Sequence, residues 1–272
     1  MKRIVIAGML ALCIALPGLM AQGKQQNRAA KGPSKAEAQA YNAMVTATDP
    51  DTRIKLADDF ITKYADTQFK DVAFFVTADA YRQKGDSVKQ QIYAEKTLEV
   101  NPTHYGAMLM LADAIVRQTQ EHDLDRDEKL GNVQKYANQA IEVLKTASKP
   151  NSQTPDQDWE NYKKDEIAEA HNDLGMAGMI AKKYDVAIAE FQTAIDTTAI
   201  PQPAYEIRLA SVYRDSGKND EAIALCDKIG TEANTPAQIK QIAQSIRNAA
   251  VKAKSGPAAA PAAAAPGQTK QP

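Results

Sequence analysis

Cysteine is nearly absent from this chain, and that scarcity excludes a disulfide scaffold. Only Cys13 and Cys226 occur in 272 residues. Cys13 lies in the apolar run at the start, so a processed chain would keep one thiol and no internal bridge. Cys226, on an apolar helical face, reads as a small buried hydrophobe. Histidine is equally sparse: His104, His122 and His171 are far apart, and none stands at metal-ligand spacing with a cysteine or another histidine. Neither sign of charge dominates. The 33 basic and 34 acidic residues create no positive field to attract nucleic acid by counterion release. No GxSxG, P-loop or HExxH arrangement occurs, so nucleophilic, phosphoryl-transfer and zincin chemistry have no foothold. No stretch alternates polar and apolar residues as a strand does, and the expectation is an all-α fold without a cofactor.

Long apolar runs are also missing, apart from residues 1–23. There Lys2 and Arg3 precede an apolar run from Ile4 to about Ala15, followed by Pro17-Gly18 and small residues. This is the pattern of a secretory signal peptide, with cleavage after Ala21 or Gly23. The run falls short of the roughly 20 residues that span a bilayer, and Pro17 interrupts it, which argues against an anchor. Leu12 before Cys13 argues against a lipoprotein site. The expected location is therefore outside the cytoplasm, periplasmic or secreted, with no stable membrane insertion after cleavage. Residues 24–33 read as a flexible polar segment. The stretch 255–272, SGPAAAPAAAAPGQTKQP, offers no large side chain to bury and reads as a disordered Ala/Pro-rich tail.

Helices fill what lies between. Capping boxes fit at Ser34 to Glu37, Thr154 to Gln157 and Thr235 to Gln238, and Asp49-Pro50 reads as another start. Apolar residues recur at three- and four-residue spacing, predicting helices over 35–47, 50–64, 70–83, 87–99, 104–118, 132–146, 156–181, 184–197, 203–215, 219–229 and 235–254. Residues 147–155 form a linker.

Some helices are oddly rich in small residues. The stretch HNDLGMAGMIAKKYDVAIAEFQTAI (171–195) holds Gly175 and Gly178 one turn apart, although glycine costs a helix roughly 0.5–1 kcal/mol relative to alanine. Close helix–helix approach is the physical reason for such a choice. The small residues also recur. Leu174-Gly175 matches Leu209-Ala210 and Ala187 matches Ala222, a lag of 35 residues, while Tyr81, Gly85 and Ala94 align with Tyr213, Gly217 and Cys226.

These residues resemble the tetratricopeptide repeat (TPR) family, whose units are antiparallel helix pairs of about 34 residues. Residues 168–201 fit best, through Leu174, Gly175, Ala187, Phe191 and Ala194. Residues 203–229 follow with Leu209, Ala210, Tyr213, Gly217 and Ala222, and residues 71–102 supply Tyr81, Gly85 and Pro102. The resemblance implies a right-handed superhelical solenoid over 34–254, with units near 37–70, 71–104, 105–146, 168–201 and 203–229 and a capping helix at 235–254. The unit at 37–70 departs from the pattern at Lys63, and the unit at 105–146 carries an insertion. Residues 56–86 are also similar to TPR units of bacterial envelope-assembly proteins, but Tyr64 is followed by Ala65 where those carry Tyr-Pro.

In that family the first helices of the units line a concave groove that receives a partner's extended or helical peptide. Carried onto this chain, the groove positions are Phe75, Asp79 and Arg82, then Leu109, Asp113 and Arg117, then Asn172, Met176 and Met179, then Ile207, Ser211 and Arg214. The Lys and Asn set of the family's carboxylate-binding clamp is not supplied, so an acidic chain terminus is not the expected ligand. Some of these charges have an internal alternative, since Asp113 and Arg117 can pair at i,i+4. Met176 and Met179 suit either a pliable binding surface or core filling. Trp159 either anchors the extension before residue 168 or contacts a partner.

The implied function is a scaffold for a protein or peptide partner, without catalysis. The alternative is a metal-dependent or hydrolytic enzyme built on the acidic insert EHDLDRDEKLGN (121–132). Asp123, Asp125 and Asp127 alternate there as the first ligands of an EF-hand do. Glu128 stands in place of the sharp-turn glycine and Gln134 in place of the closing glutamate, which favours a solvated loop.

Overall fold

The computed structural model describes residues 32–255, and among these every regular element is an α-helix. The helices are α1 (Lys35–Thr46), α2 (Pro50–Lys63), α3 (Lys70–Lys84), α4 (Ser87–Val100), α5 (Tyr105–Gln118), α6 (Arg126–Thr146), α7 (Asp156–Ile180), α8 (Tyr184–Thr197), α9 (Pro203–Asp215), α10 (Asn219–Thr231) and α11 (Ala237–Ser255). The leader, most of the polar segment after it and the Ala/Pro-rich tail lie outside the described residues.

Local chemistry sets several of the ends. Ser34 and Asp49 accept from the backbone N–H groups of Glu37 and Thr52, at 3.1 and 2.8 Å, as the sequence predicts. Two predicted caps are corrected. Asn151 takes the Thr154 N–H at 2.9 Å, which leaves α7 to start after Pro155, and the Thr235 hydroxyl donates back to Glu232. His104 caps α5, its Nδ1 accepting from Ala107 N–H at 3.1 Å. Gly85 ends α3 and Gly217 follows α9, both at positive φ, +74° and +80°, where a side chain would be strained. The acidic insert is only half a loop, because residues 126–132 form the first turns of α6. Asp127 and Glu128 sit in that first turn, where carboxylates suit the helix dipole.

Neighbouring helices pack as antiparallel pairs, α1 with α2 through α9 with α10, and α11 covers the last pair. A second set of contacts gives the stack its curvature. First helices adjoin one another, α1 to α3, α5 to α7, α7 to α9 and α9 to α11, whereas no two of the second helices α2, α4, α6, α8 and α10 make more than marginal contact. The first helices therefore line the inner face and the second helices fan outward.

The core runs through the stack as linked clusters. One joins α5, α6 and α7 through Leu109, Val116, Val133, Leu144 and Leu174, and the next joins α8 and α9 through Ala187, Phe191, Leu209 and Val212. The small residues sit at the tightest crossings. A Cβ on Gly175 would lie 2.7 Å from the Phe191 ring, and one on Gly178 would lie 3.0 Å from the backbone of Ala187. Alanines at 73, 78, 94, 187, 194, 210 and 222 are wholly buried. Small side chains let the helix axes approach, and large ones beside them fill the space to interior density. Cys226 is buried in the α9–α11 cluster and free, its thiol pushed up by burial, as expected of a hydrophobe.

Candidate functional site

The inner face is built from α3, α5, α7 and α9, and the positions predicted for a groove divide into three kinds. Two are corrected outright. Leu109 is 4% exposed and belongs to the core between α5, α6 and α7. Asn172 is 3% exposed, accepts from Arg208 Nη1 at 2.6 Å and donates to Asp173 at 3.2 Å, so it ties α7 to α9 instead of meeting a partner. A second group is half-buried and apolar. Phe75 packs against His104 with ring centres 4.5 Å apart and planes tilted by 41°, Met176 and Met179 lean on the Phe191 cluster, and Ile207 leans on the α9–α11 cluster.

The third group is polar and partly accessible. Asp79 accepts from Arg53 Nη1 at 2.7 Å and from Arg82 Nη2 at 2.5 Å, while Gln83 donates to its second oxygen. Arg117 donates to Asp113 one turn earlier, the internal pairing its spacing allows, and still leaves its side chain 54% exposed. Arg214 pairs with the adjacent Asp215 at 2.7 Å, and Ser211 is half-buried.

The structure adds a stripe that the repeat comparison does not reach. Tyr162, Glu166, Glu169, Asp173 and Met176 follow one another at three- and four-residue steps along α7 and share one side of it. The part before residue 168 lies outside the best-matching repeat unit. The 25-residue length of α7 extends that side well beyond one repeat. The signal in the sequence was polar residues at helical spacing, which normally marks a solvated side.

Here that side is shielded by its neighbours at Tyr162, Glu166, Asp173 and Met176, while Glu169 is exposed. Burial and the nearby charge of Glu169 push Glu166 up to about 7, with opposition from the Tyr162 hydroxyl and from Arg82. Burial, Asp113 and Glu169 raise Asp173 well above the carboxylate range, with Arg117 and Arg208 opposing. Burial and Glu166 also raise Tyr162, whose ring meets that of Tyr105 of α5 edge-on at 6.5 Å. Burial, then Arg117, lower Arg208. These mutual influences join charges of α3, α5, α7 and α9 into a single electrostatic surface.

Trp159 anchors the start of this stripe. It is 8% exposed, its Nε1 donates to the Ala147 carbonyl at 3.2 Å, and its ring stacks on Tyr162 at 5.4 Å. It therefore packs the α7 extension onto the preceding linker, the first of its two readings.

No metal centre emerges among the described residues, where no three His, Cys, Asp or Glu side chains are grouped to hold an ion. In the acidic insert, Lys129 bonds both Asp123 and Asp125 at 2.9 Å, so those carboxylates already have a cation. His171 pairs with Glu190 at 2.7 Å. A cleft of about 450 Å³ between α1 and α2 lies away from the charged surface. No helix among the described residues is long and apolar enough to cross a membrane.

No family model and no curated protein matches the sequence. Among solved structures the chain is similar to one described as a thermophilic TPR protein in Thermus thermophilus, with a TM-score of 0.51 and 17% identity over 78% of this chain and 95% of that one. At that identity the likeness speaks to architecture, and it agrees with the helix-pair stacking described above. The fold is a TPR-like solenoid of antiparallel helix pairs.

Proposed function

We propose that this chain is an exported scaffold that holds a protein or peptide partner against the inner face of its TPR-like solenoid and performs no chemistry. The observation that supports this most is the convergence of half-buried apolar and charged side chains from four successive first helices. Met176 and Met179 offer pliable apolar contact, and Arg82 and Arg117 flank them with charge. A mixed surface of this kind suits peptide recognition through a few anchors and a polar surround. The signal-like residues 1–23 support export to the periplasm or medium, and the likeness of residues 56–86 to envelope-assembly repeats supports a place in envelope assembly.

Crosslinking in the exported fraction tests the reading. Met176→Glu and Arg117→Glu should lose the captured partner, while Glu142→Lys on the outer helix α6 should keep it. Equal capture by all three removes the inner face from the proposal. N-terminal sequencing of the exported chain should begin at Gln22 or Lys24, and a chain found only in the cytoplasm starting at Met1 would end the export reading.

A further inference from the structure

The outer face carries a pattern of its own on α4. Elsewhere among the described residues, large apolar side chains left exposed stand singly, as Val186 does on α8, or on opposite sides of one helix, as Ile242 and Val251 do on α11. On α4 they line up. Val88, Ile92 and Val100 are 65%, 43% and 44% exposed, and with Lys96 between the last two they follow one another at four-residue steps as a single ridge. The opposite side of the helix, with Gln90, Ala94 and Thr97, is the buried one. A contiguous exposed apolar ridge marks a contact surface, as scattered residues do not.

Aromatic rings back the ridge. Tyr93 stacks on Tyr81 of α3 with ring centres 5.5 Å apart and meets Phe74 of α3 at 6.2 Å. The Lys96 ammonium lies 4.6 Å from the centre of the Tyr93 ring and 5.8 Å from that of Phe74, and Lys89 lies 5.0 Å from that of Tyr81. The rings thus draw the Lys96 charge to themselves, and its methylene stem joins the apolar ridge. The charges beside the ridge are sorted by end. Lys89 is exposed near the start of α4, and Glu95 and Glu99 are exposed toward its end.

We infer that the α4 ridge is the contact between two copies of this chain, paired antiparallel and back to back, which goes beyond the scaffold reading and does not depend on it. Turned end for end about a two-fold axis, the ridge is its own complement. Val88 comes level with Val100, Ile92 with the stem of Lys96, and Lys89 with Glu99. A parallel pair would set Lys89 beside Lys89 and Glu99 beside Glu99, so charge rejects that orientation. An anionic bilayer fits less well, because Glu95 and Glu99 would face its headgroups. One helix against its copy stands at the low end of specific interfaces, at or below about 1,200 Å² in all, so the pair should form and dissociate with concentration. Joined through their outer faces, two solenoids keep both inner faces open, which raises avidity for a partner that repeats its recognition segment.

The test is sedimentation of the full exported chain at concentrations from about 5 to about 500 μM, over which its mass should rise from that of one chain toward that of two. Ile92→Lys, which sets a lysine level with Lys96, should weaken the association about tenfold or more, and Val186→Lys on α8 should leave it unchanged. Charge reversal reads the register. Lys89→Glu and Glu99→Lys each bring like charges level with one another, so each alone should pair more weakly than the parent, while an equimolar mixture of the two should form mixed dimers. Both reversals suit the helix dipole of α4, so the fold should be kept, and circular dichroism of each variant checks it. A parent that stays monomeric throughout the range overturns the inference, and so does a dimer that Ile92→Lys and both reversals leave intact. If a monomeric parent instead floats with phosphatidylglycerol vesicles and Ile92→Lys does not, the ridge meets a membrane and the pairing is refuted.

Discussion

The ring of Phe191 in α8 fills the space above Gly175 in α7, so that a methyl group on that glycine would lie 2.7 Å from the nearest ring carbons. Alanine at 175 would gain up to about 1 kcal/mol of helix propensity but force the buried ring aside at about 1–3 kcal/mol. Gly178→Ala meets backbone of Ala187, which yields less readily than a side chain. Gly131 in α6 has nothing within 4 Å of its added Cβ and is exposed. Denaturant unfolding should therefore show Gly175→Ala and Gly178→Ala destabilised and Gly131→Ala stabilised. Stabilisation of all three would mean that the glycines do not exist for close packing.

The fold was legible because one physical requirement repeats along the chain. Each pair must bury an apolar stripe and bring its helices close, so small residues recur at fixed lag, and the eleven predicted helices differ from the observed ones mainly at their ends. The largest difference, α6 starting at Arg126 and not at residue 132, arises where polar residues hide a helical start. The inner face was less legible. Carrying repeat positions forward named Leu109 and Asn172, which the structure buries. It passed over Glu166 and Asp173, since periodicity cannot say which polar side of a long helix a neighbour covers.

Leu109 provides a direct check on that correction. Its side chain packs with Val116, Val133 and Leu144 inside the α5–α6–α7 cluster. Leu109→Ala should therefore cost about 2–5 kcal/mol through lost burial and the cavity left behind. Partner capture by the fraction that remains folded should be unaffected. A variant of parental stability that no longer captures the partner would return Leu109 to the binding surface.

Glu166 should make stability fall with pH in a defined window. Its carboxyl titrates near 7 in the folded chain, against an ordinary value of 4.5. Between those values the folded state binds more protons than the unfolded state, so unfolding free energy decreases as pH rises from about 4.5 to about 7. The shift corresponds to at most about 3 kcal/mol, and Asp173, raised in the same direction, adds to it. Glu166→Gln keeps a hydrogen-bonding group beside Tyr162 and removes the titration. Urea unfolding at about pH 5 and about pH 8 should show a smaller loss for the variant than for the parent. Identical losses would show that Glu166 ionises as freely in the folded chain as in the unfolded one.

Lys218, in the turn between α9 and α10, bonds Asp185 in the first turn of α8 at 3.1 Å, 33 residues earlier. The same relation ties Lys84 to Asp51, Lys182 to Glu121 and Lys254 to Asp220, so four unit boundaries carry a lysine reaching back to an acid near the start of the preceding second helix. Such a pair is exposed, with Asp185 at 93%, and exchanges good solvation for a single weak contact. A double-mutant cycle with Asp185→Ala and Lys218→Ala should return a coupling of about 0.2–1 kcal/mol at low salt. The coupling should vanish near 1 M salt, where the screening length is about 3 Å. Because the apolar crossings at Ala187 and Phe191 already fix how the units nest, the double variant should keep its helical content and unfolding cooperativity. Loss of cooperativity in that variant would instead make the lysine bridges the element that sets the register between units.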